Sequence, residues 1–319
     1  MAEYKNQHTV TKAYLRGFTA DDSPNTLSRY DKDSGSCKQS SIESASIKFY
    51  AYSTCTPDGQ WDHSVEHLLD RIESKALPIL KKLNSAPSPT LSDDEKYDLA
   101  LFIGVMLRRA ATLIDHLTND FVQFRNSPQR RQQFCDTYLQ KYEGQLRAEQ
   151  IENVRKAVLD GKFDISPDIA KAEQLAVWES SMPEYARALA TMHWQIWKAE
   201  RGHYFVTSDA PAFIRRHTHE EDPGVVAIAD KDAVLTFPLS KTRLLIAKHS
   251  HVGGIKKATK TRVRELNSLI IRMTHKHVFA PNCTDAIKQL VLQNKDFSPP
   301  LPSFAWLNPR SHGTRPDAS

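Results

Sequence analysis

In "TVTKAYLRGF" the apolar residues Val10, Tyr14 and Phe18 recur at every fourth position, which predicts a short helix with one buried face. The stretch "LSRYDKDSGSCKQ" places Asp33, Ser34 and Gly35 between two strand-like runs, a small hairpin. From Val65 to about Asn84 the period is helical again, with Val65, Leu68, Leu69 and Ile72 on one stripe and Pro78 predicting a kink or break. After the linker "SAPSPTLS", Ser92 and Glu95 have capping-box spacing and open a long helix through "KYDLALFIGVMLRRAATLIDHL". Helical texture continues, with breaks near Pro128, "DGKFDISPD" and Pro183, to about Glu200. Beyond Gly202 the chain turns to short β-rich runs, "HYFVTS", "GVVAIA", "AVLTF" and "RLLIAK". A helix near 259–273, a strand "HVFA" and a helix over "TDAIKQLVLQ" follow. The expected class is α+β: a predominantly helical body (about 64–200), a small N-terminal hairpin, and a C-terminal antiparallel or mixed sheet (about 202–280). One domain over 1–297 is expected, followed by a loosely held tail from Ser298.

Composition narrows the function classes. No apolar run approaches the roughly 20 residues of a membrane span, and "MAEYKNQHTV" lacks the apolar stretch of a secretory signal, so no membrane partner and a cytoplasmic location are expected. Cys37, Cys55, Cys135 and Cys283 lie far apart without a C-x-x-C pair, and the expectation is reduced thiols. A net charge of +5 permits contact with nucleic acid without requiring it.

"HSVEHLLDRIE" carries His63, Glu66 and His67 in the H-x-x-E-H spacing of an inverted zinc-peptidase motif. At about 100° per residue, His63, His67 and Asp70 fall opposite the apolar stripe, on a solvent face that offers a catalytic zinc no supporting shell. Zinc is therefore not expected. Glu66 and Glu73 instead stack along the edge of the stripe beside Leu69, where two carboxylates can ligate a divalent ion through oxygen or pair with arginines. "GGIKKATKTRVREL" brings Lys256, Lys257, Lys260, Arg262 and Arg264 to a predicted helix start, either as a phosphate site or as a solvated basic face. The R-x4-H spacing from Arg272 to His277 runs into a β-like segment and carries little weight.

The stretches "QHTVTKAYLRGF", "YDK", "IKFY", "VEHLLDRIE", "LRRAAT", "FVTSDAP" and "FPLS", in that order, resemble the bacterial family called domain of unknown function 4238. The first is the most diagnostic and matches at Gln7, His8, Tyr14, Leu15 and Phe18, with Thr11 where the family commonly has proline. The pattern asks for Glu66 and Glu73 but not for His63 or His67. It places Arg108 at the family's arginine, followed here by Arg109-Ala110 rather than Thr-Pro, and fits Ser208, Asp209 and Pro211 to a Ser-Asp-x-Pro turn.

Some members look like single-gene defences against phage, which implies nucleic acid or a phage-derived trigger as partner. That resemblance bears on biological role and not on reaction, but the types of the polar residues that carry it suit phosphodiester chemistry, and a metal-dependent nuclease acting on RNA or DNA is expected. Glu66, Glu73 and Asp209 would hold Mg²⁺ or Mn²⁺. His8, Arg108 and Asp209 would act in catalysis, and Tyr14, Ser208, Lys256 and Lys257 would bind substrate. The alternative is a non-catalytic sensor or adaptor in which the same polar residues form a buried structural network.

Overall fold

A computed structural model describes residues 6–49, 51–55, 61–108, 119, 122–124, 126–138, 147–160, 181–216 and 227–299. The expected tail from Ser298 lies almost entirely outside these residues. Strands β1 (Asn6–His8) and β4 (Ile47–Phe49) pair antiparallel around α1 (Lys12–Leu15), β2 (Thr26–Asp31) and β3 (Cys37–Ser41). Thr11, in the place of the family's proline, caps α1 by accepting from the Tyr14 amide at 3.2 Å. Val10, Tyr14 and Phe18 are buried, as their spacing predicts. The β2–β3 hairpin turns at Gly35, whose φ of +65° suits glycine.

A short pair, β5 (Thr54–Cys55) and β6 (Trp61–Asp62), leads into α2 (Ser64–Ser85) and α3 (Asp93–Arg108). Helix α2 runs through Pro78 without a break. The missing amide proton would have bonded the Ser74 carbonyl, and both residues are exposed, so water can satisfy that oxygen. The capping box at α3 forms reciprocally: the Ser92 amide donates to Glu95 and the Glu95 amide to the Ser92 hydroxyl. Helices α4 (Pro128–Tyr138) and α5 (Ala148–Asp160) pack on each other, and α6 covers residues 181–191.

The segment "HWQIWKA", expected to be helical, is instead strand β7 (His193–Ala199). It lies inside a five-stranded sheet of order β12-β7-β11-β10-β9, built with β9 (Phe213–Arg216), β10 (Ala233–Ser240), β11 (Arg243–Lys248) and β12 (Ile255–Ala258). β12 runs parallel to β7 and the other pairs are antiparallel. Of "GVVAIA", residues 224–226 lie outside the described residues and 227–229 are not strand. A four-stranded antiparallel sheet of order β3-β2-β13-β8 joins the hairpin to β8 (Thr207–Ser208) and β13 (His277–Ala280). Two capped helices complete the described chain: α7 (Lys260–Arg272, N-cap Thr259) and α8 (Asp285–Asn294, N-cap Thr284).

All eight residues of β10 are buried because the large sheet is covered on both faces. Leu235, Phe237 and Leu239 pack with α2 and α3, whereas Val234 joins Leu244, Ile246 and the apolar face of α7. Reduced thiols are not what the fold shows at Cys37 and Cys283, which form a disulfide between the start of β3 and the loop before α8. No described helix is long and apolar enough to cross a membrane.

Candidate functional site

Asp209 follows β8 and turns its carboxylate onto the loop before β13. It accepts from the backbone amides of His275 at 3.0 Å, Lys276 at 2.7 Å and His277 at 3.1 Å. Burial pushes its carboxyl up to about 6, against the opposing pull of those amides and of Lys32. Lys32 is 2% exposed and donates all three ammonium protons, to the carbonyls of Arg272 at 2.9 Å, Thr274 at 2.6 Å and Phe297 at 2.7 Å. Burial brings its ammonium down to about 8. His275 and His277 beside this pair are lowered to about 4, chiefly by burial. A cation closing the end of α7 and an anion closing the following loop form a structural clamp. Three of the roughly four acceptor sites of the Asp209 carboxylate are thus taken by backbone amides. Ser208, fully buried, accepts from the Ala210 amide at 3.1 Å.

The N-terminal residues are engaged in the same manner. The Gln7 side chain accepts from the Tyr52 amide and donates to the Ser53 hydroxyl, and Ser53 lies 2.7 Å from His63 Nδ1. His63 is thus half-buried at the start of α2 rather than turned to water, while His67 is exposed. His8 Nε2 lies 2.9 Å from the Glu43 carbonyl. Tyr14 stacks on Phe237 with ring centres 5.3 Å apart, donates to the Pro238 carbonyl at 2.7 Å, and meets Thr207 Oγ1 at 2.9 Å. Burial raises its phenol far above the ordinary range. Glu66 and Glu73 lie half-buried on α2, with backbones separated by about 10 Å of helical rise. Arg108 ends the described part of α3, and its side chain lies outside the described residues. Among the described residues, no group of three or more His, Cys, Asp and Glu side chains is placed to hold a metal ion.

Cationic side chains gather elsewhere. An open groove of about 1150 Å³ runs along the end of the large sheet, where Lys257 of β12 lies opposite Lys198 of β7, and Lys198 lies opposite Arg243 of β11. Directly opposed residues leave a sheet on the same face, so three like charges form one rung, an arrangement that costs stability when nothing anionic offsets it. Arg243 is offset from below: its guanidinium donates to the Leu83 and Ala86 carbonyls at the end of α2. Lys257 lies 3.4 Å from Glu200. Lys241 is held by Asp21 at 2.5 Å. Lys198 and Arg201 have no such partner among the described residues. Asn84 in the wall donates to the Leu239 carbonyl at 3.1 Å and leaves its own buried Oδ1 without a donor. Lys256 points elsewhere, 5.7 Å from the Trp197 ring that Arg262 also covers.

Of the residues singled out in the sequence, only Lys257 lines this groove. Lys198, Arg201, Lys241 and Arg243 were missed. Their signal was a pair of basic turns, "KAERGH" and "SKTR", which converge only once the strand register is known. No curated protein and no solved structure matches the chain. The family model described as protein of unknown function (DUF4238) matches residues 6–283, nearly all of the described fold, and the chain belongs to that family.

Proposed function

We propose that this protein works by binding, as a sensor or adaptor whose cation-floored groove takes a phosphate-bearing ligand, a single strand of nucleic acid being the best fit. The observation that carries the reading is the Lys257–Lys198–Arg243 rung, in which Lys198 has no acidic partner among the described residues. Phosphates relieve the repulsion of that rung. The family resemblance supplies the biological setting, a cytoplasmic defence against phage with nucleic acid or a phage-derived trigger as ligand. The engagement of Gln7, Tyr14, Lys32 and Asp209 with buried backbone and hydroxyl groups supports binding over catalysis.

Fluorescence anisotropy with labelled single-stranded RNA and DNA tests the proposal. Lys198→Glu with Lys257→Glu should weaken binding at least tenfold and flatten the salt dependence by about 0.7 per lost phosphate contact. Equal affinity of variant and wild type would sink it. One observation favours the metal-dependent nuclease as a second reading: Asp21, Asp22 and Glu200 line the same groove. Strand cleavage that depends on Mg²⁺ or Mn²⁺ and is lost in Asp22→Asn would establish that reading instead.

A further inference from the structure

We infer that the Cys37–Cys283 pair gates this groove by its oxidation state, an inference that rests on the groove being the ligand site. Pro281 and Asn282 form part of the groove wall, and Cys283 follows them directly. Thr284, the next residue, caps α8. The wall segment 281–284 is thus a short bridge from β13 to α8, and what fixes it fixes the wall. Besides the disulfide to Cys37, four hydroxyl contacts and the α8 cap bonds of Thr284 hold it. The Tyr30 hydroxyl accepts from the Thr284 amide at 2.6 Å and lies 3.2 Å from the Asn282 and Thr284 carbonyls. Tyr204, itself a groove residue, lies 3.3 Å from the Thr284 hydroxyl. Its single covalent cross-link runs to the edge strand of the hairpin, 246 residues earlier in the chain.

The cross-link is placed for exchange rather than for core stability. Cys283 is exposed and Cys37 half-buried, in contrast to Cys135, which is a buried free thiol. A dithiol reductant supplies the two electrons. Its thiolate attacks the Cys283 sulfur, the Cys37 thiolate leaves and takes up a proton, and the reductant's second thiol displaces Cys283. The products are two cysteine thiols and the reductant's own disulfide. In a cytoplasm that keeps thiols reduced, a disulfide of this kind is transient and redox-sensing. Oxidation then holds the wall against the cation rung. Reduction leaves segment 281–284 on the Tyr30 and Tyr204 hydroxyl contacts and the α8 cap, without a covalent tie to the hairpin, so ligand binding must order its wall residues again at the expense of affinity.

The test uses the full chain and a labelled single-stranded oligonucleotide. The oxidised protein should bind about tenfold more tightly than the same protein after dithiothreitol, with recovery on reoxidation by glutathione disulfide. Cys283→Ser should bind at the reduced level under both conditions, and amide exchange over 281–284 should quicken on reduction. Equal affinity in both states, with reduction verified by mass, overturns the gate and leaves the groove standing. Failure of the oxidised protein to bind any strand overturns the groove reading and the gate with it.

Discussion

Replacing Lys32 by methionine keeps most of the stem's volume and removes an ammonium whose three protons end on the carbonyls of Arg272, Thr274 and Phe297. Each carbonyl left buried and unmet costs about 1–3 kcal/mol, a gross loss of about 3–9 kcal/mol. Against this stands the cost of burying the charge. Bringing the ammonium from 10.5 to about 8 corresponds to about 3 kcal/mol that the methionine no longer bears. Asp209 would also lose its cationic neighbour, which adds to the loss. The net expectation is a destabilisation of about 3 kcal/mol, which at about 2–4 °C per kcal/mol lowers Tm by about 6–12 °C. Calorimetric melts of wild type and Lys32→Met at pH 7 measure it. An unchanged or higher Tm would refute the clamp: the buried charge would then cost more than its bonds return, the signature of a group held for chemistry rather than stability.

Four further outcomes follow from the same geometry. Asp209→Asn should remove a pH dependence: a carboxyl raised to about 6 contributes fully below its unfolded value near 3.8 and loses that contribution as pH rises through 6. The wild type should lose about 2 kcal/mol relative to the variant between pH 4.5 and 7, with Lys32, His275 and His277 facing the position in both proteins; a shift in the opposite direction contradicts the buried carboxylate. Tyr14→Phe should cost about 1–3 kcal/mol by stranding the Pro238 carbonyl and Thr207 hydroxyl, and an unchanged melt would show the phenol free for a ligand. Gly35→Ala forces a left-handed φ and brings the new Cβ to 2.8 Å from Leu292, for a loss of about 1–2 kcal/mol read by urea denaturation. His63→Ala should cost about 1 kcal/mol through its Ser53 bond, whereas His67→Ala should stay within about 0.5 kcal/mol; equal effects would place both rings in water.

What the sequence made legible was whatever local chemistry decides. The fourfold spacing of Val10, Tyr14 and Phe18, the Ser92–Glu95 box and the Asp33–Gly35 turn each predict their element because the stabilising contacts lie within a few residues. Strand β7 escaped because no glycine or proline separates it from the helix before it. Its conformation is decided by pairing with β11 on one side and β12 on the other, up to about 60 residues downstream. Pro78 misled because the rule against proline in a helix weakens where the orphaned carbonyl faces water. The disulfide was hidden for a related reason. Spacing rules say nothing about cysteines 246 residues apart, which meet only because β2 pairs with both β3 and β13.

The same distinction separates the residues that carry the family resemblance from those that line the groove. Gln7 holds the Tyr52 amide, Tyr14 the Pro238 carbonyl and Asp209 the amides of 275–277, each across at least 45 residues of chain. Such residues specify how distant segments dock, and a buried polar group that satisfies several backbone atoms is costly to replace whatever the protein binds. A pattern built from them identifies a fold and leaves its chemistry open. Arg243 of the groove rung is of the same kind, since it closes the end of α2, whereas Lys198 and Lys257 beside it have the opposite character, since the fold gains little from aligning them with a third cation. Among the described residues Glu200 offsets Lys257 and no carboxylate offsets Lys198, so the proposal of an anionic ligand rests on these two lysines and not on the residues that carry the family pattern.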